Sequence, residues 1–230
     1  MTSHWCILRW PALGSVGVAI TTGCGSVGDA DSRAADTAAT VVAEVARGPV
    51  LPEVTPGTLR MMGSSLHFAA CGATDDGDPL EDATDGDAVA VVESLGPDGV
   101  TALVQLDGNR LVSLHYAAPE GPGCGKLPPT AEVEAHGQEP FWFLSVAGEV
   151  ATVRTPEELD GVRYSDGRWS IVDASHWRYD AARAGDPLVL ELVLERCSDA
   201  MSGARYPLRA TLSRGGATMQ GCALEGRGAQ

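Results

Sequence analysis

The sequence predicts an all-β protein built as two small barrel or sandwich domains, the second a meandering antiparallel one, behind a signal peptide and a flexible tether. Three observations predict this. Short apolar runs that alternate with polar residues recur from residue 57 onward, turn-forming Gly, Asn and Asp residues divide them, and a Pro-rich stretch at 119–129 splits the series in two. Runs so short and so evenly spaced build meanders and barrels rather than parallel sheets. The expected divisions are a signal peptide at 1–23, a tether at 24–56, one β domain at 57–128 and a second at 129–230.

The amino terminus carries one charge before residue 29, Arg9, followed by an apolar run from Trp10 to Ile20. That run is too short to cross a bilayer, which needs about 20 apolar residues. A basic start, a brief apolar stretch and the small residues Thr21–Gly23 are the parts of a secretory signal. Residues 25 to about 56 are rich in Ala, Asp, Ser, Gly and Val, with no aromatic residue to seed a core, and read as a tether.

The folded part opens with Leu66–Phe68, just ahead of Cys71, and continues with strands at Ala88–Val92, Val100–Leu106 and Arg110–Tyr116. Asp107-Gly108-Asn109 joins the last two as a hairpin, because Gly and Asn tolerate positive φ. The second domain offers eight strands: Phe141–Val146, Glu149–Arg154, Gly161–Tyr164, Trp169–Val172, His176–Tyr179, Leu188–Glu195, Tyr206–Leu212 and Ala217–Cys222. Turns at Ala147-Gly148, Ser165-Asp166-Gly167 and Gly215-Gly216 separate them, and Pro156–Asp160 is the one short helical stretch outside the tether.

A net charge of -15 repels phosphates, so nucleic acid is not expected as a partner. A mean hydropathy of -0.01 excludes a bundle of membrane helices. Of 6 cysteines, Cys6 falls in the signal peptide and Cys24 at its end. The remaining Cys71, Cys124, Cys197 and Cys222 suit an oxidising compartment, and the sequence allows three pairings. If each domain closes its own bridge, the pairs are Cys71–Cys124 and Cys197–Cys222. With no Cys-x-x-Cys and no His at ligand spacing, no metal or other cofactor is expected at the cysteines. The acidic stretch Asp75–Asp87 has no register that matches an EF-hand and reads as a solvated loop.

Thr21-Thr22-Gly23-Cys24 resembles the bacterial lipobox. The resemblance implies thioether lipidation and acylation of Cys24, hence a palmitate-type anchor in the bilayer, with the outer membrane facing the periplasm as the expected site. His136-Gly-Gln-Glu139-Pro-Phe-Trp142, Cys197-Ser-Asp199-Ala-Met-Ser202-Gly-Ala-Arg-Tyr206-Pro and Gly221-Cys222-Ala223 resemble the motifs of a family of uncharacterised bacterial envelope lipoproteins, with Gln138 where that family has Asn. Residues 57–116 resemble the OB-fold domain of envelope-stress and copper-homeostasis lipoproteins of the NlpE kind, which implies an OB-like first domain. The copper motif of that kind, Cys-x-x-Cys, is absent here, so copper binding is not carried over.

The residues to watch for binding are therefore His136, Glu139, Trp142, Asp199, Ser202 and Tyr206. Trp142 is expected to plug a barrel end, and Ser202-Gly203 to form a turn that delivers Tyr206 to the core. Ser202 lacks the Gly-x-Ser-x-Gly frame of a hydrolase nucleophile, and no catalytic residue is expected. The expectation is a non-catalytic lipid-anchored envelope protein with a binding or envelope-integrity role. Two alternatives are an inhibitor of C-type lysozyme, whose Ser-Gly-x-x-Tyr loop Ser202–Tyr206 resembles, and a binder of a small ligand or metal.

Overall fold

The computed structural model describes residues 46–96 and 99–228. The signal peptide, Cys24 and the tether as far as residue 45 lie outside the described residues.

Five strands close a first barrel: β1 (Thr55–Met62), β2 (Ser65–Ala70), β3 (Asp78–Asp82), β4 (Val100–Asp107) and β5 (Arg110–Ala118). Their neighbour order is β1-β2-β3-β5-β4, and β4 returns to β1. All pairs are antiparallel except β3 with β5, which run parallel through Glu81↔Arg110. A helix, α1 (Asp87–Leu95), sits between β3 and β4. This is the OB topology.

The helix corrects the strand expected at Ala88–Val92. A short apolar run fits either period, and here the start signals decide. Asp82 accepts the N–H groups of Thr84 (2.8 Å) and Val89 (3.2 Å), and the Thr84 hydroxyl accepts that of Ala88 (2.9 Å). Orphan donors of the first turn are thus satisfied. Ala88, Val91 and Val92 then fall on one face and are buried in the barrel core with Leu59, Val100 and Leu111. The acidic stretch also departs from the expected loop, since Asp78–Asp82 forms β3. Main-chain pairing with β2 and β5 holds it, and that pairing does not require apolar side chains.

Eight further strands form a second, larger barrel: β6 (Val133–Gln138), β7 (Phe141–Ala147), β8 (Val150–Arg154), β9 (Val162–Asp173), β10 (His176–Arg183), β11 (Asp186–Ser198), β12 (Arg205–Arg214) and β13 (Ala217–Glu225). Each pairs antiparallel with the next, and β13 closes on β6 through Cys222↔His136 and Glu225↔Val133. Eight strands leave an interior that side chains just fill. Leu144, Leu188, Leu190, Leu192, Leu208, Tyr164 and Tyr179 fill it, and each is fully buried. At one end lies Trp142, also fully buried, packed where Gly137 and Gly221 leave room. At the other, Trp169 meets Tyr179 with ring centroids 4.9 Å apart and donates its indole N–H to Glu132. Residues 46–51 line a cavity at this second end with Glu132, Gly148 and Trp169, and Gly48 approaches Trp169 so closely that an added Cβ would lie 2.5 Å from the indole.

Two turn signals resolve differently from expectation. Ser165-Asp166-Gly167 does not divide two strands but bulges one: β9 runs through it, Asp166 takes φ 56°, and the β9–β10 register shifts between Asp180 and Ala182. Gly167 is needed there because a Cβ would overlap the Tyr179 hydroxyl. Pro156–Asp160 forms turns rather than a helix. The link between β8 and β9 is short, and Glu158 is drawn to Arg214 by two hydrogen bonds of 2.5 and 2.9 Å.

The cystines are Cys71–Cys124 and Cys197–Cys222, with Cα atoms 5.3 and 5.5 Å apart, the pairing in which each domain closes its own bridge. Cys71–Cys124 ties the end of β2 to the 3₁₀ turn Cys124–Lys126, and Cys197–Cys222 ties β11 to β13. Loops of these lengths confer about 3–4 kcal/mol each in the chain-entropy description. Between the barrels, Leu103, Tyr116, Ala118, Leu127, Ala204 and Leu224 form a third buried cluster, with Val54 and Tyr206 against it.

Gly221→Ala tests this packing. Its Cβ would overlap the His136 carbonyl and crowd Trp142, so stability in urea melts falls by about 3 kcal/mol. Gly125→Ala, with open space around the new methyl, stays within about 0.5 kcal/mol of the parent.

Candidate functional site

Strand β6 alternates, with Val133, Ala135 and Gly137 buried and Glu134, His136 and Gln138 half-buried on the opposite face. Outside the barrel, that polar face meets the loop between β11 and β12, where Asp199 is 5 % exposed. Asp199 Oδ1 accepts the backbone N–H of Met201 (2.9 Å), that of Ser202 (2.7 Å) and the Ser202 hydroxyl (3.0 Å). Its Oδ2 accepts Gln138 Nε2 at 2.8 Å and lies 3.2 Å from His136 Nε2.

Burial opposes the Asp199 charge, but the donors from Ser202, Gln138 and Met201 outweigh burial and hold the carboxyl well below the usual range. An ionised carboxylate only accepts, so His136 carries a proton on Nε2 and donates it to Asp199. The Ser202 hydroxyl donates to Asp199 rather than to His136, which is not the order of a serine–histidine–aspartate triad.

The His136 ring meets Tyr206 edge to face at 4.9 Å, and Tyr206 meets Tyr116 of β5 in the same manner at 5.1 Å. Burial foremost raises both phenol pKa values, and for Tyr206 the charges of Asp199 and Glu134 add to it. Both stay neutral at physiological pH.

These groups line a cleft of about 450 Å³ between the barrels, together with Glu134, Phe143, Leu127, Leu224 and Lys126. Glu134 is half-buried and faces that cleft. Burial raises its pKa, and the charge of Arg154 only partly offsets the effect. Arg154 itself lies over the Phe143 ring, 5.9 Å from its centroid. Among the described residues no cluster of three or more His, Cys, Asp or Glu is arranged to hold a metal ion.

Of the residues singled out in the sequence, His136, Asp199, Ser202 and Tyr206 come together here. Glu139 does not; it is exposed in the β6–β7 turn beside the cis peptide before Pro140. Trp142 lies inside the barrel, on the other side of the same wall. Sequence reasoning missed Glu134, Gln138, Phe143, Tyr116 and Lys126. The period-two alternation of Val133–Gln138 marks β6 and puts Glu134 and Gln138 on the face of His136. Nothing local in the sequence pairs Tyr116 with Tyr206.

Compared with protein-family models, curated proteins and solved structures, the chain has no match. Function must therefore be argued from the site.

Asp199→Asn tests the hub. An amide would turn a donor toward one of its two sets of donors, lowering stability at pH 7 by about 2 kcal/mol. The native carboxyl titrates below its unfolded value, so its stabilisation is complete above about pH 5 and is lost as pH falls through the native pKa. Urea melts should show the parent–variant gap narrowing below about pH 4. A gap unchanged down to pH 2.5 contradicts the assignment.

Proposed function

We propose that this chain is a lipid-anchored cell-envelope protein that binds a small ligand in the inter-barrel cleft and carries out no catalysis. The cleft carries the reading. At about 450 Å³ it falls in the size range of small-molecule sites, and it combines aromatic walls from Tyr116, Phe143 and Tyr206 with polar groups at Glu134 and His136. The absence of catalysis is argued from what the polar groups already do. Asp199 and Ser202 fasten a turn, and His136 bonds the same carboxylate. Two cystines suit an oxidising compartment outside the cytoplasm. The lipobox-like Thr21–Cys24 supplies the anchor, and the motifs around His136, Asp199 and Gly221 support kinship with the envelope lipoproteins they resemble.

The test has two arms. Cys24→Ser should move the protein from the membrane fraction to the soluble one and remove a triacyl mass from the amino terminus; a chain that stays unprocessed, or never reaches the membrane, defeats the anchoring. An NMR fragment screen on the mature chain should give saturable shifts centred on Tyr116, His136 and Tyr206, and Tyr206→Ala should abolish them. Shifts that centre elsewhere, or none across the screen, defeat the cleft as binding site.

A second reading has its own observation. Met201 stands 79 % exposed at the tip of the loop that leads into Ser202–Tyr206, and the net charge of -15 suits a basic enzyme. Loss of C-type lysozyme turnover at micromolar protein would favour inhibition through that loop; unaltered turnover removes it.

A further inference from the structure

Among the described residues, the buried and half-buried carboxylates have hydrogen-bond or ion-pair partners, with one exception. Asp199 accepts from Gln138, Ser202 and Met201, Glu225 pairs with His115 at 3.1 Å, and Glu132 accepts from Trp169 and Gly148. Glu158 is held by Arg214. Glu134 is half-buried like several of these, yet it has no hydrogen bond or ion pair among the described residues and lines the cleft instead. A desolvated carboxylate without a partner is costly to maintain, and its raised pKa reflects that cost.

Its surroundings are those that accept a positive charge. Tyr116, Tyr206 and Phe143 line the same cleft, and aromatic faces attract cations by their quadrupole. The attraction is already realised on the outer wall, where the Arg154 guanidinium lies over Phe143. The neighbouring phenols are neutral and add no competing charge. Lys126, the sole lysine of the chain, is exposed where it borders the cleft, and Arg154 is exposed as well.

We infer that the cleft takes a compact organic cation, its ammonium group seated against the Glu134 carboxylate beside the aromatic wall formed by Tyr116, Tyr206 and Phe143. This rests on the cleft being the ligand site and adds the chemistry of the ligand. A charged ammonium supplies the missing partner of Glu134, while its alkyl groups cover the aromatic walls. A neutral molecule of the same shape gains only the second contribution.

The test compares choline chloride with its uncharged isostere 3,3-dimethylbutan-1-ol, by NMR titration of the mature wild-type chain. Choline should shift Tyr116, Glu134, His136 and Tyr206 saturably and bind at least tenfold more tightly than the isostere. Glu134→Gln should weaken choline at least tenfold, leave the isostere unchanged and not lower Tm, since it removes a charge that lacks a partner. Equal affinity for the two compounds, or choline binding indifferent to Glu134→Gln, overturns the cation and leaves the cleft standing as a ligand site. If neither compound titrates while the fragment screen finds neutral binders in the cleft, the cation is again overturned alone. An empty cleft in both experiments overturns the binding site as well. The wild-type comparison of the two compounds decides the matter even if the variant does not fold.

Discussion

The contact of β5 with β12 and β13 is the constraint on which the rest depends. Ala117 pairs with Arg205 in a single ladder contact, Tyr116 packs on Tyr206, and His115 pairs with Glu225 at 3.1 Å. His115 and Glu225 are 9 % and 4 % exposed at their side chains, so each needs the other to offset its desolvation. Three consecutive residues of one barrel thus reach the wall of the other by three different interactions. A buried polar pair tolerates only a narrow geometry, so it fixes orientation in a way that an apolar contact alone would not. The cleft exists because this seam holds Tyr116 beside Tyr206 without filling the space next to Glu134 and His136.

The motif residues that the sequence groups together divide between the two sides of one wall. Gly137, Trp142 and Gly221 act inside the barrel, where the absence of two side chains makes room for an indole. His136 and Gln138 act outside, where both reach Asp199. Strand alternation makes this division possible, since neighbouring residues of β6 point to opposite faces. Cys222 adds a covalent tie to Cys197, two residues before Asp199. The inner packing and the outer loop are therefore coupled through a few adjacent positions, which accounts for a motif spread over three distant segments.

Much of the fold is legible in the sequence, because hairpins carry local signals. Gly215-Gly216 adopts positive φ at both positions (57° and 79°) and joins β12 to β13 as the two-residue turn its composition predicts. The all-β class and the meander follow from such local patterns, whereas the sequence allows three cystine pairings and the observed one is that in which each domain closes its own bridge. What was not legible depends on distant partners. Strand β3 is too acidic to look like a strand until β2 and β5 supply its hydrogen bonds, and α1 reads as a strand until Asp82 and Thr84 cap it. The Ser165–Gly167 signal is real, but its cause is the Tyr179 phenol inside the barrel and not a reversal of the chain. The site is less legible for the same reason. His136, Asp199 and Tyr206 stand out by motif, whereas Glu134 matters because it has no partner, and that is visible only once every neighbour is placed.

The account is tested most directly by a double-mutant cycle on the seam, with urea melts of His115→Leu, Glu225→Leu and the double variant. Each single variant leaves a buried polar group unpaired, so the two single effects should together exceed the destabilisation of the double variant. The account predicts a coupling energy of about 1–3 kcal/mol, with the double variant more stable than the sum of its parts. Additive effects would contradict it, because they would mean that His115 and Glu225 do not depend on one another and that the barrels are not held by this contact.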